Sequence, residues 1–287
     1  MDIGIGLPNS VPGTTGGQLL DWARRADAAG FSSLATIGCV SFPGYEELTV
    51  FAAAGAVTQR IRFMPNVLLA PTRSSAELAK QAASVDQLTG GRLTLAVAPG
   101  WRAADYQLTG RDFDHRGRRL EQQLKDLRTA WAGEPLLPGT KPVSPPLVQE
   151  GGIPILIGGM SDAAVRRVVE FGDGWTAGGA PLDVTRDMIS KVRAAWRDGG
   201  RDGEPRIVAL AYFSLGDTLE RSRAYLLDYY EPMGAGIAEM IAGSALRSPD
   251  AIKGAVEGFA AIGVDEFILD PTVSDPDQVD LLAGVVL

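Results

Sequence analysis

LAKQAASVDQLTGGRLTLAVAPGW, residues 78–101, is the stretch that decides the fold. Leu78, Ala79, Ala82, Val85 and Leu88 recur at the three-to-four spacing of an amphipathic helix. Gly90-Gly91 then stops it, because the left-handed residue that ends a helix costs glycine least. After Arg92, the apolar run Leu93, Leu95, Ala96, Val97 and Ala98 reads as a strand buried on both faces, as strands of parallel sheets are. Pro99-Gly100-Trp101 turns the chain away. Helix, glycine stop, buried strand and loop together make one unit of a repeating α/β fold.

The same unit recurs in both directions. Asp2 to Leu7 reads as a strand, and Thr15 with Gln18 forms a capping box opening a helix to Ala29, closed by Gly30. Phe31 to Ile37 is a second strand, followed by an alanine-rich helix from Glu46 to Gln59. That helix is apolar on nearly every side and is expected to pack on more than the sheet; a homodimer is the expectation it raises. Ile61 to Leu69 is strand three, and Ser74 with Glu77 is a second capping box. A polar loop from Arg102 to Arg116 precedes a helix to Trp131. Residues 133–152, with five prolines and four glycines, admit no regular element. Strands follow at Ile153–Ile157, Gly174–Ala177, Arg206–Leu215 and Val264–Leu269, each trailed by a helical pattern, with a glycine-rich piece at Gly234–Gly243. Eight strands alternating with helices predict a (β/α)8 TIM barrel with insertions after strands 4 and 7, in place of an open doubly wound sheet. Gly4 and Gly6 start a GxGxxG pattern that Asn9 breaks; they read as small residues in a crowded barrel interior.

The 287 residues, 45% of them hydrophobic, suffice for one large core. A net charge of −8 argues against nucleic acid as partner, and no window has the apolar length of a membrane helix. The amino terminus lacks the pattern of a signal peptide, so a cytoplasmic protein is the expectation. Cys39 is the only cysteine and His115 the only histidine, which excludes a cysteine zinc cage and the multi-histidine metal sites of barrel hydrolases. Lys80, Lys125, Lys191 and Lys253 fall in helices and Lys141 in the proline-rich segment, so no lysine ends a strand where a Schiff-base enzyme needs it. Without metal, lysine nucleophile or serine–histidine pair, a borrowed cofactor acting on a small molecule is the natural answer.

The working rim of a barrel is formed by the loops after its strands. There, IGGMSDAA lets the backbone amides of Gly158, Gly159, Met160 and Ser161 approach an anion at a helix start, with the Ser161 hydroxyl as a further donor. A tight turn with Ser161 or Asp162 as an ordinary cap is the bland alternative. Asn66 interrupts an apolar strand and must find partners, in a kinked backbone or in a ligand. Cys39 reads as a small hydrophobe or a ligand contact, and His115 as a surface or capping residue. Phe42, Tyr45, Trp101, Tyr106 and Phe213 suggest an apolar or aromatic substrate, or plain core.

Ile61-Arg62, the turn at Pro71, residues 78–101, the segment DFDHRGRRLEQQLKDLRTAW and IPILIGGMSDAAVRRVVEFGDGW together resemble the bacterial luciferase-like flavin monooxygenase superfamily. The match runs over nearly the whole chain, so residues 1–287 are expected to form a single luciferase-like TIM-barrel domain. The resemblance implies FMN or the deazaflavin coenzyme F420 at the carboxyl ends of the strands, the cofactor phosphate near Gly158–Ser161, and a non-proline cis peptide behind the ring, here Asn66-Val67. The cofactor contacts it implies are Asn66, Val67, Leu68, Ala98, Gly158, Gly159, Met160 and Ser161, and the substrate pocket is drawn from Cys39, Trp101 and Tyr106. Relatives that carry Asp-His after strand two, or a glutamate at the position of Trp101, differ from this chain, which has Gly38-Cys39 and Trp101; no catalytic acid or base is assigned. The expected activity is deazaflavin-dependent hydride transfer to or from a small, largely apolar substrate. An FMN-dependent monooxygenase using dioxygen and a non-catalytic flavin-binding protein are the alternatives.

Overall fold

A computed structural model describes residues 1–287. In chain order the elements are β1 (Asp2–Gly6), α1 (Gly16–Ala29), β2 (Ser33–Thr36), α2 (Glu47–Gly55), β3 (Arg62–Pro65), β4 (Leu68–Leu69), α3 (Ser75–Thr89), β5 (Leu95–Ala98), α4 (Ala103–Leu108) and α5 (Arg116–Trp131). They continue as β6 (Ile155–Gly158), α6 (Asp162–Phe171), β7 (Gly174–Thr176), α7 (Leu182–Asp198), β8 (Arg206–Phe213), α8 (Leu219–Tyr230), α9 (Ala235–Ser244), α10 (Pro249–Ala261), β9 (Glu266–Pro271) and α11 (Asp277–Val286).

Every strand pair is parallel, in the order β3-β2-β1-β9-β8-β7-β6-β5-β4. β3 and β4 are two pieces of one barrel strand, parted at the Asn66–Val67 peptide, which is cis. A bridge between Phe63 and Leu93 ties β3 to the chain entering β5, so eight parallel strands form a nearly closed (β/α)8 barrel.

Local chemistry explains the boundaries. Thr15 and Gln18 close a full capping box on α1, and Gly30 ends that helix at φ 109°. Ser74 caps α3 by accepting from the Glu77 amide at 3.2 Å, but its hydroxyl donates to the Glu77 carboxylate, so that box is only half built. The interior explains Gly4 and Gly6. A Cβ on Gly6 would stand 1.9 Å from Asp270 Oδ1, and one on Gly4 2.4 Å from Ile268 Cδ1.

Two expectations change. The stretch Arg102–Arg116 is not all loop: it contains α4, whose start has no side-chain cap to advertise it. The glycine-rich piece is α9, a helix that packs against α8 and buries Ala238 and Ala242. The apolar surface of α2 is covered inside the chain by α1 and α3, with Phe51 against Phe63 at 5.3 Å between ring centres; only Thr49, Ala53 and Ala56 of its middle and end are exposed. The helix thus packs on more than the sheet, as its apolar sequence predicts. No helix is long and apolar enough to cross a membrane.

Candidate active site

The carboxyl ends of the strands surround a cleft of about 390 Å³. Asn66, Val67, Ala98, Gly158, Gly159 and Ser161 line it, with Trp101 at its rim, 40% exposed. Asn66 is held by its neighbours: its amide donates to Thr36 O at 2.7 Å, and its Oδ1 accepts from Thr176 Oγ1 at 2.7 Å. Its Nδ2 is buried and has no partner in the protein. That orphaned donor stands beside Val67, against which Gly158 lies so closely that a Cβ there would be 3.0 Å from Val67 Cγ1. Glycine at 158 lets β6 pack directly on Val67 and Ala98, and the unsatisfied Asn66 amide leaves one hydrogen-bond donor beside the cleft.

At the opposite corner the chain turns from β6 into α6. Gly159 sits at φ 120°, and Trp175 Nε1 donates to its carbonyl at 2.8 Å, which pins the turn. Ser161 is the cap of α6: its Oγ accepts from Ala164 N at 3.2 Å, using a lone pair and leaving the hydroxyl proton available. The sequence's two readings of this serine, cap and donor, are therefore compatible. Arg167, only 8% exposed, lines the same corner and donates through Nε to Glu121 Oε1 at 3.0 Å. A Cβ on Gly117 would come 2.6 Å from its Nη2, so glycine at that position makes room for the guanidinium. Helix start, glycine turn and arginine together suit a phosphate.

Several named residues lie elsewhere. Leu68 is fully buried in the core between sheet and helices, on the other face of its strand from the cleft. Met160 is 39% exposed and does not line the cleft; the loop approaches through its glycines and turns that side chain away. Tyr106 is fully buried, donates to Pro99 O and meets Phe113 edge-on at 5.4 Å, so it braces the loop after β5 and is not part of a pocket wall. Phe213 is core. His115 is exposed at the start of α5, beside Asp112.

Cys39 faces a side chamber of about 240 Å³, which shares Gly38 and Leu69 with the cleft and is walled by Phe42 and Tyr45. Burial pushes the Cys39 thiol up, against the opposing charge of Arg102. Arg102 is 6% exposed, donates through Nη1 to Cys39 Sγ at 3.1 Å and through Nη2 to Tyr229 O, and stacks on the Tyr229 ring at 4.3 Å.

The sequence reading missed the tyrosines and one acid. Tyr212, Tyr229 and Tyr230 line the cleft, with 2.5 Å between the hydroxyl oxygens of Tyr212 and Tyr230. Burial pushes Tyr230 up to about 12. For Tyr229 and Tyr230 the signal was present in AYLLDYY, residues 224–230, where aromatic residues recur at helical spacing. Glu47 is 6% exposed in the chamber, paired through Oε2 with Arg73 Nη2 at 3.1 Å. Burial raises its carboxyl above the ordinary range, with Arg73 opposing. An acid at the start of an alanine-rich helix was its only trace in sequence.

A larger groove, about 670 Å³, runs along Pro142–Leu147 where α5 ends, at the amino ends of the strands. Its only charged lining residue is Arg128, and barrels of this kind work at the other end.

The sequence model of the luciferase-like monooxygenases matches residues 1–279, and the chain belongs to that family. A protein of Mycobacterium tuberculosis is 32% identical over 225 residues, 67% of this chain and 77% of that one. Among solved structures, an F420-dependent secondary alcohol dehydrogenase in complex with an F420-acetone adduct superposes with a TM-score of 0.79 at 17% identity, covering 99% of this chain and 98% of that one. The oxygenating constituent of 3,6-diketocamphane monooxygenase of Pseudomonas putida, in complex with FMN, gives 0.75 at 17% identity, covering 100% and 99%. Both likenesses are likenesses of fold. Members of the family are oxidoreductases acting on small molecules.

Proposed function

We propose that the protein is a coenzyme F420-dependent oxidoreductase that moves a hydride between the deazaflavin and a small, largely apolar substrate. The observation that supports a flavin-type cofactor, F420 or FMN, is the cleft itself. It has a place for a flat ring beside Val67 and Asn66 Nδ2, and an anion corner at Gly158–Ser161 with Arg167. Asn66, Val67 and Ala98 would back the ring, and the loop amides with Ser161 would hold the phosphate. A bound deazaflavin supplies a carbon centre that gives or takes hydride. The chain's part is to orient that centre, to keep water out with Ile37, Leu69, Leu210 and Trp101, and to move protons.

The deazaflavin is favoured by the form of the segment after β2 and by the compact length, which resemble that branch of the family. An FMN-dependent monooxygenase is the second reading, supported by the family's own description and by the same ring and phosphate features, which suit either cofactor. Titration of the cofactor-free protein with F420 and with FMN, followed by absorbance and fluorescence, separates them. F420 is expected to bind at least about tenfold more tightly, a difference of about 1.4 kcal/mol. Tighter binding of FMN together with oxygen uptake on reduction would replace the first reading by the second.

A further inference from the structure

We propose that the side chamber behind Gly38 is the substrate subsite, that it takes a small uncharged carbonyl compound, and that Glu47 is the proton donor for its reduction. The inference rests on the hydride-transfer reading above and adds to it the group that reading leaves unnamed.

Geometry places Glu47 where the chamber meets the cleft. Gly38 and Leu69 line both spaces. A Cβ on Gly38 would stand 2.6 Å from Glu47 Oε1, so the carboxyl occupies room that any other residue at position 38 would fill. Its two oxygens differ. Oε2 is held by Arg73, while Oε1 receives no hydrogen bond from another residue's side chain.

The surroundings favour the protonated form. Arg73, just before α3, is shared between Glu47 and Glu46, whose Oε1 it meets at 2.8 Å. Asp105 of α4 adds a second buried acid; its Oδ1 accepts from Ser41 N at 2.7 Å and its Oδ2 has no partner. The nearby cation, Arg102, is engaged by Cys39 and by the Tyr229 carbonyl and ring. Tyr45 completes the polar edge. One arginine for two glutamates, with Asp105 near, leaves burial as the dominant influence, and Glu47 keeps its proton above the usual carboxylate range.

That state selects the ligand. A protonated carboxyl with a free Oε1 is a donor, and the acceptor it suits is an uncharged carbonyl oxygen. An anionic substrate would add another negative charge beside Glu46 and Asp105. Val40, Phe42 and Leu69 accept an apolar remainder.

In the reduction, the carbonyl carbon gains the hydride from the reduced deazaflavin, which is the co-reactant and loses two electrons. The carbonyl π pair moves onto oxygen, a new O–H bond forms to the Glu47 proton, and the Oε1–H bond breaks. The product is the alcohol, and the carboxylate left beside Arg73 regains a proton from solvent.

The test uses the full chain, reduced F420 and cyclohexanone as the probe. The wild type is expected to consume cyclohexanone with a kcat that falls as pH rises through the raised Glu47 pKa, because only the protonated form donates. Glu47→Gln is expected to lower kcat about 100-fold, to lose that limb of the profile and to bind F420 as before, with Glu47→Asp recovering part of the rate. In the cofactor-free protein, the infrared difference between wild type and Glu47→Gln should contain a protonated-carboxyl band, the contribution of Asp270 being common to both and cancelling. Unchanged kcat and pH profile in Glu47→Gln, or an infrared difference without that band, overturns the role of Glu47. A wild type that binds F420 but leaves cyclohexanone untouched overturns the substrate class while the cofactor reading stands. A wild type without affinity for F420 takes down both.

Discussion

Two buried acids on one strand show how the ends of the barrel differ. Glu266 and Asp270 of β9 are each 1% exposed, and both side chains point into the barrel. Glu266 is fully engaged: its Oε1 accepts from Ser32 Oγ at 2.5 Å and Ser33 Oγ at 2.6 Å, and its Oε2 from Arg206 Nη2 at 2.5 Å. Asp270, four residues nearer the cleft, has an Oδ1 with no partner, and burial raises its carboxyl well above the ordinary range. Around Glu266 the amino end holds a closed polar network that ties β9 to Arg206 of β8 and to the start of β2. Toward the carboxyl end Asp270 Oδ1, Asn66 Nδ2 and Asp105 Oδ2 have no partner in the protein, and of the three residues Asn66 lines the cleft.

The contrast breaks most visibly at Glu266. Glu266→Ala removes the acceptor of two serine hydroxyls and the partner of Arg206, and should cost about 3 kcal/mol of stability, read as a lower urea midpoint. A loss under about 1 kcal/mol would mean that the network does not hold the barrel.

Asp270 should respond in the opposite direction. A raised carboxyl pKa means that folding favours the protonated form, so the stability contribution is whole below the unfolded pKa and is lost as pH rises toward the folded one. Asp270→Asn removes that loss. The variant is expected to be more stable than the wild type at about pH 7 and nearly equal to it at about pH 4, below which both carboxyl states are neutral. Equal stability at both values would remove the claim that Asp270 is held in an unfavourable site.

How much of this was legible differs by region for a physical reason. The Gly158–Ser161 corner is local: strand, glycine turn, cap and helix follow one another in sequence, so the pattern and the structure coincide there. The helix stops at Gly30 and Gly90 are equally local, and both glycines end helices with positive φ. The side chamber is assembled from distant parts. Gly38 follows β2, Glu47 opens α2, Arg73 precedes α3 and Asp105 sits in α4, so no window contains the carboxyl and its only cation together. Tyr229 and Tyr230 reach the cleft from the end of α8, more than a hundred residues beyond Trp101. The alternation of side chains into β4, with Val67 and Leu69 at the cleft and Leu68 in the outer core, is set by a break in the strand that residue types alone do not fix.

Arg167 tests the local corner with a smaller effect. Arg167→Ala should weaken FMN or F420 about tenfold and leave phosphate-free riboflavin unaffected, since a hydrogen bond to a charged group contributes about 1.5 kcal/mol or more. Stability should hardly move, because its ion partner Glu121 stays partly in water. Equal loss for riboflavin would assign Arg167 to the ring and not to the anion.

Met160 provides the finest discrimination, because it shares the loop with Gly159 but not its position. At Gly159 the backbone is at φ 120° and a Cβ would lie 3.2 Å from that of Ala164, so Gly159→Ala must deform the turn and misdirect its amides. Met160 is 39% exposed and its side chain does not line the cleft, so alanine there leaves the loop's backbone as it is. Met160→Ala should therefore change cofactor affinity by less than about twofold, within the roughly 0.5 kcal/mol of an ordinary surface substitution. A tenfold loss would put the thioether against the bound molecule and show that the loop grips with a side chain where its geometry offers only main-chain nitrogen.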